Sequence, residues 1–234
     1  MTYIIAEAGT GHFDNDVGRS FVKAQNFIIS ASQVGADAVK FQMFVRDEPL
    51  FCPMSGDERR MKRWNNTVLP LNWWRDLQKL AKEYNIDLLW SAFQPTCVEW
   101  LKELKPRYVK VASRARGCFP YSKFPDETIF IVSGDYVPIY RKCERLRCVS
   151  EYPSPLKHNG YPAGCMYSGI SDHSGTIWPG LDTIFNRGKF LEVHFKIPGA
   201  DMGNDEPVCL TVDQLKLLCD ARDAYARMHP NIDR

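Results

Sequence analysis

The sequence predicts an α/β protein folded as a compact (β/α)₈ barrel, the TIM-barrel architecture, in a single domain over residues 1–234. Two observations favour this fold class. Eight short runs rich in β-branched and aromatic residues alternate with segments of helical periodicity. The length of 234 residues is also close to the ~250 residues typical of such a barrel. A doubly wound open sheet is the alternative topology.

The predicted strands recur along the whole chain. They are residues 3–7, 37–42, 86–93, 107–113, 128–133, 145–152, 165–171 and 189–195. The connecting segments around 114–127, 134–144 and 153–164 are too short or too rich in proline and glycine for full helices. Some outer helices are therefore expected to be shortened or missing on that side of the barrel.

The predicted helices are recognised by apolar residues at helical spacing and by their end signals. The first carries Phe21, Phe27 and Val34 and stops at Gly35. The others, after a long loop that follows residue 42, are a helix from Trp74 to Asn85, a short one at 97–104, one from Ile177 to Phe185 and a last one opened by the capping-box pattern Thr211–Gln214.

Composition narrows the class of partners. Thirty basic and 28 acidic residues give a net charge of +2, so no nucleic-acid partner is indicated. The basic cluster RRMKR at 59–63 is interpreted as a solvated loop. No apolar run approaches the ~20 residues of a membrane helix, and no signal peptide is recognised. The eight cysteines lack a CxxC pair, so we expect reduced thiols and a cytoplasmic protein.

Two histidines, His173 in SGISDHSG and His194 in FLEVHFK, each follow a short apolar run. They are twenty-one residues apart, about one strand-helix-strand repeat, so a barrel would place them on neighbouring strand ends. Neutral imidazoles in that arrangement suit a divalent transition metal. The alternative is that each is a structural residue at its own strand end.

Two lysines, Lys40 and Lys110, also fall near the ends of predicted strands, where an ammonium is costly unless it meets an anion. Serines on neighbouring strand ends, at 91, 113, 133 and 171, can add hydroxyl donors. The pattern indicates a cradle for a phosphate or a carboxylate. The alternative is that both lysines pair with Glu7, Asp172 or Glu192.

Seven segments match a single family in its own order. They are IIAEAGTGH (4–12), GADAVKFQ (35–42), YVKVAS (108–113), IVSGD (131–135), CVSEYPSP (148–155), GISDHSG (169–175) and LEVHF (191–195). Through them the chain resembles the sialic acid synthases of the N-acetylneuraminate synthase type over nearly its whole length. The resemblance implies a metal-bearing (β/α)₈ barrel that condenses phosphoenolpyruvate with an open-chain N-acylated sugar aldehyde.

Most of the candidate site residues are carried over through this resemblance. It implies His173 and His194 as metal ligands. The phosphoenolpyruvate contacts would be Lys40, Ser91, Lys110, Ser113, Ser133, Ser150 and Ser171. The acceptor contacts would be Gln42, Tyr152 and Asp205, the last by its eleven-residue distance from His194. Glu7, Glu192 and Asp205 are the candidate catalytic carboxylates.

The resemblance also implies a mechanism. A metal polarises the aldehyde oxygen while C3 of phosphoenolpyruvate attacks the carbonyl carbon. Water, activated at the metal or by a carboxylate such as Glu7, adds at C2, and phosphate leaves by C–O cleavage. The expected cofactor is Mn²⁺, with Mg²⁺ or Co²⁺ as alternatives. The expected partners are phosphoenolpyruvate and a small aldehyde or sugar, without nucleic acid or membrane, and a homodimer is left open.

The chain departs from the family pattern at three places. The family's G-x-N-H segment is Gly9-Thr10-Gly11-His12 here, and its small-acidic pair after KVAS is replaced within Arg114-Ala115-Arg116. The sequence ends at Arg234, so we expect no C-terminal antifreeze-like domain. Arg114 or Arg116 is then expected to supply the positive charge that such a domain brings, which makes Arg116 a candidate acceptor contact.

Two other functions remain open on the sequence. One keeps the metal but runs a different aldehyde addition or cleavage, because the acceptor pocket is altered. The other is a non-catalytic homologue that binds a sugar or an anion.

Overall fold

The fold is a closed barrel of eight parallel strands, seen in a computed structural model that describes residues 1–135, 141–162 and 166–230. The strands are β1 (Tyr3–Gly9), β2 (Ala38–Met43), β3 (Asp87–Ala92), β4 (Val109–Val111), β5 (Phe130–Ser133), β6 (Cys143–Cys148), β7 (Gly169–Asp172) and β8 (Phe190–His194). Each strand pairs with the next, and β8 pairs with β1. The predicted (β/α)₈ barrel is confirmed. The open sheet is excluded because the β1–β8 pairing leaves no free edge.

The α-helices of the described residues surround most of this barrel. They are α1 (Val17–Gln33), α2 (Asp57–Asn66), α3 (Leu71–Glu83), α4 (Pro95–Leu104), α5 (Trp178–Phe185) and α6 (Val212–Met228). Asp16 caps α1 by accepting a hydrogen bond from the Arg19 backbone at 2.8 Å. The predicted capping box of Thr211 and Gln214 is present at the start of α6.

Helix α2 lies where the sequence predicted a loop. It contains the whole RRMKR cluster, so the interpretation of that cluster as a solvated loop is wrong. The helix buries only Asp57 and Trp64, and the Trp64 ring stacks on Phe44 with centroids 4.9 Å apart. One aromatic anchor and a single turn of apolar contact are too weak a pattern to identify from sequence.

The outer layer is thin between β4 and β7, as predicted. Within the described residues this part of the chain holds only short 3₁₀ turns, at Ser113–Ala115, Tyr121–Lys123 and Leu156–His158. Strand β6 ends at Cys148, so Ser150 and Tyr152 lie in the loop that follows rather than in the strand. The start of the predicted strand 165–171 falls partly outside the described residues, and β7 itself begins at Gly169.

The alternation of side chains along each strand separates an apolar floor from a polar upper layer inside the barrel. The floor is built from six buried residues that point into the lumen: Ile5, Ala38, Leu89, Ile131, Leu146 and Phe190. Two residues further along the same strands, the same face carries polar side chains: Glu7, Lys40, Ser91, Ser133, Cys148 and Glu192. Because strand side chains have a period of two, these groups must also point into the lumen.

A disulfide joins Cys52, in the loop after β2, to Cys118, in the segment after β4. The expectation of reduced thiols is therefore wrong for this pair. The other cysteines of the described residues are free, at positions 97, 143, 148, 209 and 219, and Cys165 lies outside those residues. No helix in the described ranges is long and apolar enough to cross a membrane. A cytoplasmic location stays a prediction.

Candidate active site at the carboxyl ends of the strands

A cavity of about 910 Å³ opens above the apolar floor, at the end of the barrel where the strands terminate. All the candidate site residues line it: Glu7, Lys40, Gln42, Ser91, Lys110, Ser113, Arg116, Ser133, Ser150, Tyr152, Ser171, His173, Glu192, His194 and Asp205. The barrel therefore brings together residues from all eight strands or from the loops that follow them. Their individual roles stay predictions.

The two lysines lie deep in this cavity. Lys40 and Lys110 are only 3% and 1% exposed. Lys40 donates a hydrogen bond to Ser91 Oγ at 3.0 Å, and Lys110 donates one to Ser133 Oγ at 2.8 Å. Each lysine thus bonds to a hydroxyl on the neighbouring strand. The result is two ammonium groups and two hydroxyls on one wall, the donor set expected for an anion.

Two buried carboxylates neutralise part of this charge. Lys40 forms an ion pair with Glu7 and lies 3.8 Å from Glu192 Oε2, and Lys110 Nζ lies 3.4 Å from Glu192 Oε1. The alternative interpretation, ion pairing of the lysines, is thus correct for Glu7 and Glu192. It is wrong for Asp172, whose carboxylate instead accepts a hydrogen bond from Ser174 Oγ at 2.9 Å.

The two carboxylates have opposite protonation tendencies. Burial raises the pKa of Glu7 to about 7, although the Lys40 charge opposes the shift. Burial also acts to raise the pKa of Glu192, but the charges of Lys110 and Lys40 outweigh it and lower that pKa to about 2. Glu192 is therefore a permanent anion between the lysines. Glu7 can take up or release a proton near neutral pH.

The remaining serines are spread around the cavity. Ser171 donates to Glu192 Oε1 at 2.8 Å, and Ser113 Oγ accepts a hydrogen bond from Arg116 Nη1 at 2.9 Å. Ser150 is exposed at the edge of the cavity. Arg116 therefore lies against Ser113, a predicted phosphoenolpyruvate contact, and also lines the cavity.

The two histidines do lie side by side, with ring centroids 5.3 Å apart. His173 Nδ1 lies 2.7 Å from the Val149 carbonyl, which can only accept, so Nδ1 carries the proton. Its Nε2 is then an acceptor and receives the Tyr152 hydroxyl at 2.9 Å. Burial lowers the pKa of His173 to about 4 and that of His194 to about 3, so both imidazoles are neutral.

This donor set fits a metal bound by two imidazoles. His194 Nδ1 is buried and has no hydrogen-bond partner among the described residues, and the nearest carboxylate oxygen, Asp205 Oδ2, lies 3.9 Å away. No cluster of three or more His, Cys, Asp or Glu side chains in those residues is arranged as a metal site. A bound ion would therefore take most of its coordination from substrate and water.

The predicted acceptor contacts surround the histidine pair. Tyr152 stacks on His173 with ring centroids 4.3 Å apart. Asp205 can approach strand β1 because residue 9 is a glycine, with a φ of 54°. A Cβ at Gly9 would lie 2.9 Å from Asp205 Oδ2. Burial raises the pKa of Asp205, and the charges of His173, Arg63, Lys40 and Arg60 act against that shift.

The rim of the cavity is more basic than the sequence indicated. Arg59, Arg60 and Arg63 of α2 line it, although they were assigned to a solvated loop. Arg114 also lines it but is committed to Asp57, with Nη1 to Oδ1 at 3.0 Å and Nη2 to Oδ2 at 2.6 Å. Of the two expected suppliers of positive charge, Arg114 is thus already paired. No signal in the sequence could have revealed them, because the helix that carries them buries too few apolar residues to be recognised.

Comparison with known proteins gives a consistent result. Residues 27–122 match the NeuB family. The chain is 26% identical over 250 residues to the spore coat polysaccharide biosynthesis protein SpsE of Bacillus subtilis, and the match covers 93% of this chain and 66% of that protein. It is 27% identical to an N,N'-diacetyllegionaminic acid synthase of Campylobacter jejuni, covering 93% of this chain and 74% of that protein. The chain thus spans about two thirds to three quarters of these relatives.

Solved structures resemble the whole described fold. An N-acetylneuraminic acid synthetase of Leptospira borgpetersenii, solved with citrate, superposes with a TM-score of 0.80 at 20% identity and covers 100% of this chain and 87% of that chain. The SpsE structure from Bacillus subtilis gives a TM-score of 0.72 at 25% identity, covering 100% of this chain and 70% of that chain.

Proposed function

We propose that the chain condenses phosphoenolpyruvate with a sugar aldehyde and releases phosphate, and the match of residues 27–122 to the NeuB family supports this. The observation that carries the proposal is the pair of buried lysines, each bonded to a serine, beneath a cavity of about 910 Å³. That volume is at the upper end of the range for small-molecule sites, which suits two substrates bound together. The relative described above as an N,N'-diacetyllegionaminic acid synthase supports a reaction that makes a sugar acid.

Phosphoenolpyruvate would lie against the lysine wall. Its phosphate and carboxylate are both anions, and Lys40 and Lys110 with Ser91 and Ser133 are the buried cationic and hydroxyl donors available to them. Glu192 holds the two ammonium groups in place from between, because it is ionised and faces both. Charge-assisted hydrogen bonds of this kind are the strong ones in a water-poor site.

The acceptor would lie beside the histidines. Tyr152, Gln42 and Asp205 line that side of the cavity and can hold its hydroxyl groups. His173 and His194 would hold a divalent ion, for which Mn²⁺ is our first choice. When bound, such an ion supplies Lewis acidity that polarises a carbonyl oxygen.

The carbon chemistry follows from this placement. A new bond joins C3 of phosphoenolpyruvate to the aldehyde carbon, and the aldehyde oxygen ends as a hydroxyl. Water then adds at C2, and the bond between C2 and the phosphate oxygen breaks. Glu7 is placed to take the proton from that water, because its pKa of about 7 leaves much of it ionised at neutral pH.

Phosphate release from phosphoenolpyruvate, measured with a panel of sugar aldehydes and Mn²⁺, tests the proposal. We expect release that depends on the acceptor, stops after chelation and returns when Mn²⁺ is added. Absence of release with every aldehyde in the panel, metal present, would count decisively against it. Calorimetry then distinguishes the alternatives, since a different aldehyde reaction requires no binding of phosphoenolpyruvate.

Substitution of one buried lysine, compared with a matched substitution of an exposed lysine, tests the role of the lysines in binding. Lys110→Met removes a buried donor, and we expect kcat/KM to fall by about 100-fold or more. Lys102→Met, on the exposed face of α4, should leave the rate unchanged. Circular dichroism of both variants confirms folding. Equal rates in the two variants would mean that the lysine wall does not bind the substrate.

A further inference from the structure

One arginine of the cavity lies beside the lysine wall. Arg116 follows β4, lines the cavity and is partly buried. Its Nη1 donates hydrogen bonds to the Ser113 carbonyl at 2.5 Å and to Ser113 Oγ at 2.9 Å. Among residues 1–135, 141–162 and 166–230, no carboxylate forms an ion pair with this guanidinium group, and Asp135, at the end of the neighbouring strand, accepts a hydrogen bond from Tyr167 instead. The positive charge of Arg116 is therefore not neutralised there.

The guanidinium group is held against the end of strand β5. A Cβ at Gly134 would lie 3.1 Å from Arg116 Cδ and Nε and 3.3 Å from its Cζ. Residue 134 has a φ of 99°, which glycine adopts without strain. The residue before it, Ser133, accepts the hydrogen bond of Lys110. Arg116 thus lies between the ends of β4 and β5, next to the donors proposed for phosphoenolpyruvate.

The lysine wall by itself has too little positive charge for phosphoenolpyruvate. The phosphate and the carboxylate of this substrate together carry about three negative charges near neutral pH. Lys40 and Lys110 bring two positive charges, but Glu7 and Glu192 lie against them and offset much of that charge. An anion buried without a matching cation is costly in free energy. A further cation beside the wall would remove this cost.

Arg116 is better placed for this role than the other arginines of the cavity. Arg114, which follows the same strand, binds both carboxylate oxygens of Asp57. The arginines of α2 line the rim, on a helix in the loop after β2. Arg116, in contrast, already contacts Ser113, one of the serines predicted to bind phosphoenolpyruvate.

Resting on the proposed function, we propose that Arg116 and Ser113 together bind the phosphate of phosphoenolpyruvate. Arg116 Nε and Nη2 form no hydrogen bond within the part of the chain that the structure describes, and a guanidinium group can donate two parallel bonds to phosphate oxygens. Arg116 is partly exposed whereas both lysines are buried, so the group that it binds lies toward solvent. Phosphate is the group that must leave the cavity. Arg116 therefore acts on phosphoenolpyruvate rather than on the acceptor.

Two probes, each carrying one end of phosphoenolpyruvate, test this inference. Inorganic phosphate supplies the phosphate and pyruvate supplies the carboxylate. By calorimetry, we expect Arg116→Gln to raise the Kd of inorganic phosphate by at least about 10-fold and to bind pyruvate as the wild type does. An unchanged Kd for phosphate, an equal rise for both probes, or no binding of phosphate to the wild type at millimolar concentration overturns the inference.

Matched variants separate a local contact from general charge. Arg46→Gln removes an exposed arginine from the loop after β2, and Arg46 does not line the cavity, so we expect an unchanged Kd for phosphate. Arg116→Lys keeps the charge without the planar pair of donors and should lie between Arg116→Gln and the wild type. Circular dichroism checks that each variant folds. Equal losses in Arg46→Gln and Arg116→Gln, or a lysine variant weaker than the glutamine variant, contradict the inference.

A double-variant experiment tests whether Arg116 contacts the phosphate directly. If it does, Arg116→Gln should still weaken phosphate binding when it is introduced into Ser113→Ala, which lacks the hydroxyl that Arg116 orients. No further loss in the double variant would mean that Arg116 acts only through Ser113. That result overturns the direct contact.

Phosphate release distinguishes failure of this inference from failure of the proposed function. Release by the wild type, with the same KM for phosphoenolpyruvate in Arg116→Gln, leaves the condensation standing and removes the inference. A raised KM for the sugar aldehyde alone would place Arg116 at the acceptor and also removes it. Binding of inorganic phosphate that depends on Arg116, without release with any aldehyde, supports the phosphate contact and removes the condensation.

Discussion

At the scale of single residues, one buried arginine connects three parts of the barrel at the end opposite the cavity. Arg222 of α6 is 5% exposed, forms an ion pair with Asp37, and donates to the Gly35 carbonyl at 2.9 Å. Asp37 also accepts a hydrogen bond from the Ile4 backbone at 2.8 Å. The last helix, the turn before β2 and strand β1 therefore meet at one guanidinium group.

Replacement of this arginine should destabilise the fold without touching the site. Arg222→Met leaves Asp37 with an unpaired and partly buried charge, and we expect the free energy of unfolding to fall by about 2–3 kcal/mol. Arg227→Met, on an exposed position of the same helix, should change it by less than about 0.5 kcal/mol. Urea unfolding measures both. A similar small effect in the two variants would show that the ion pair contributes little.

At the scale of elements, α2 is held over the cavity mouth by contacts to the segment after β4. Arg114 binds both carboxylate oxygens of Asp57 and the Cys52 carbonyl, and the disulfide joins Cys52 to Cys118. Trp64 adds its stacking on Phe44. A helix with so small an apolar face depends on these contacts for its position.

Removal of the disulfide should therefore weaken the fold and α2 in particular. It closes a sequence separation of 66 residues, which in the chain-entropy description corresponds to about 4 kcal/mol at most. We expect Cys52→Ala with Cys118→Ala to unfold at lower denaturant, and the stability of the wild type to fall in a reducing agent. The double variant has no disulfide to lose, so its stability should not change when reductant is added. Cys143→Ser replaces a free cysteine, so it should not lower the stability in oxidising buffer. Equal wild-type stability with and without reductant would contradict the prediction.

A feature could be predicted from the sequence when its physical cause lies within a short stretch of the chain. The alternation in FLEVHFK places Phe190, Glu192 and His194 on one face, and repeat length places His173 beside His194, so the barrel and the histidine pair were predictable. The Cys52–Cys118 bond joins two loops, and α2 buries too few apolar residues to produce a helical pattern. Both depend on distant contacts. The ion pairs of Glu192 with two lysines were likewise only one of several alternatives.

At the scale of the whole molecule, the backbones of β7 and β8 pack against each other very closely. A Cβ at Gly169 would lie 1.8 Å from the Phe190 carbonyl oxygen, so the two backbones approach as closely as glycine permits. Phe190 also belongs to the apolar floor of the lumen. The pairing of β7 with β8 and the packing of the floor are thus coupled at this point.

A methyl group at this seam should disturb the entire barrel. We expect Gly169→Ala to lower the free energy of unfolding by about 3 kcal/mol or more, because the backbone itself must move. Gly117→Ala is the matched substitution, since a Cβ there meets nothing within 4 Å and we expect a near-neutral effect. Thermal or urea unfolding of the pair decides the question. An unchanged free energy of unfolding in Gly169→Ala would mean that β7 and β8 can move apart with little loss of stability.

The pairing of β1 with β8 also has a consequence for how the protein is made. Glu7 lies beside His194 in the register of these two strands, although one is synthesised near the beginning of the barrel and the other near its end. During translation β1 can pair with β2 early, but its other edge has no partner until β8 leaves the ribosome. The complete cavity therefore forms late, when the first and the last strand of the barrel to be synthesised pair with each other.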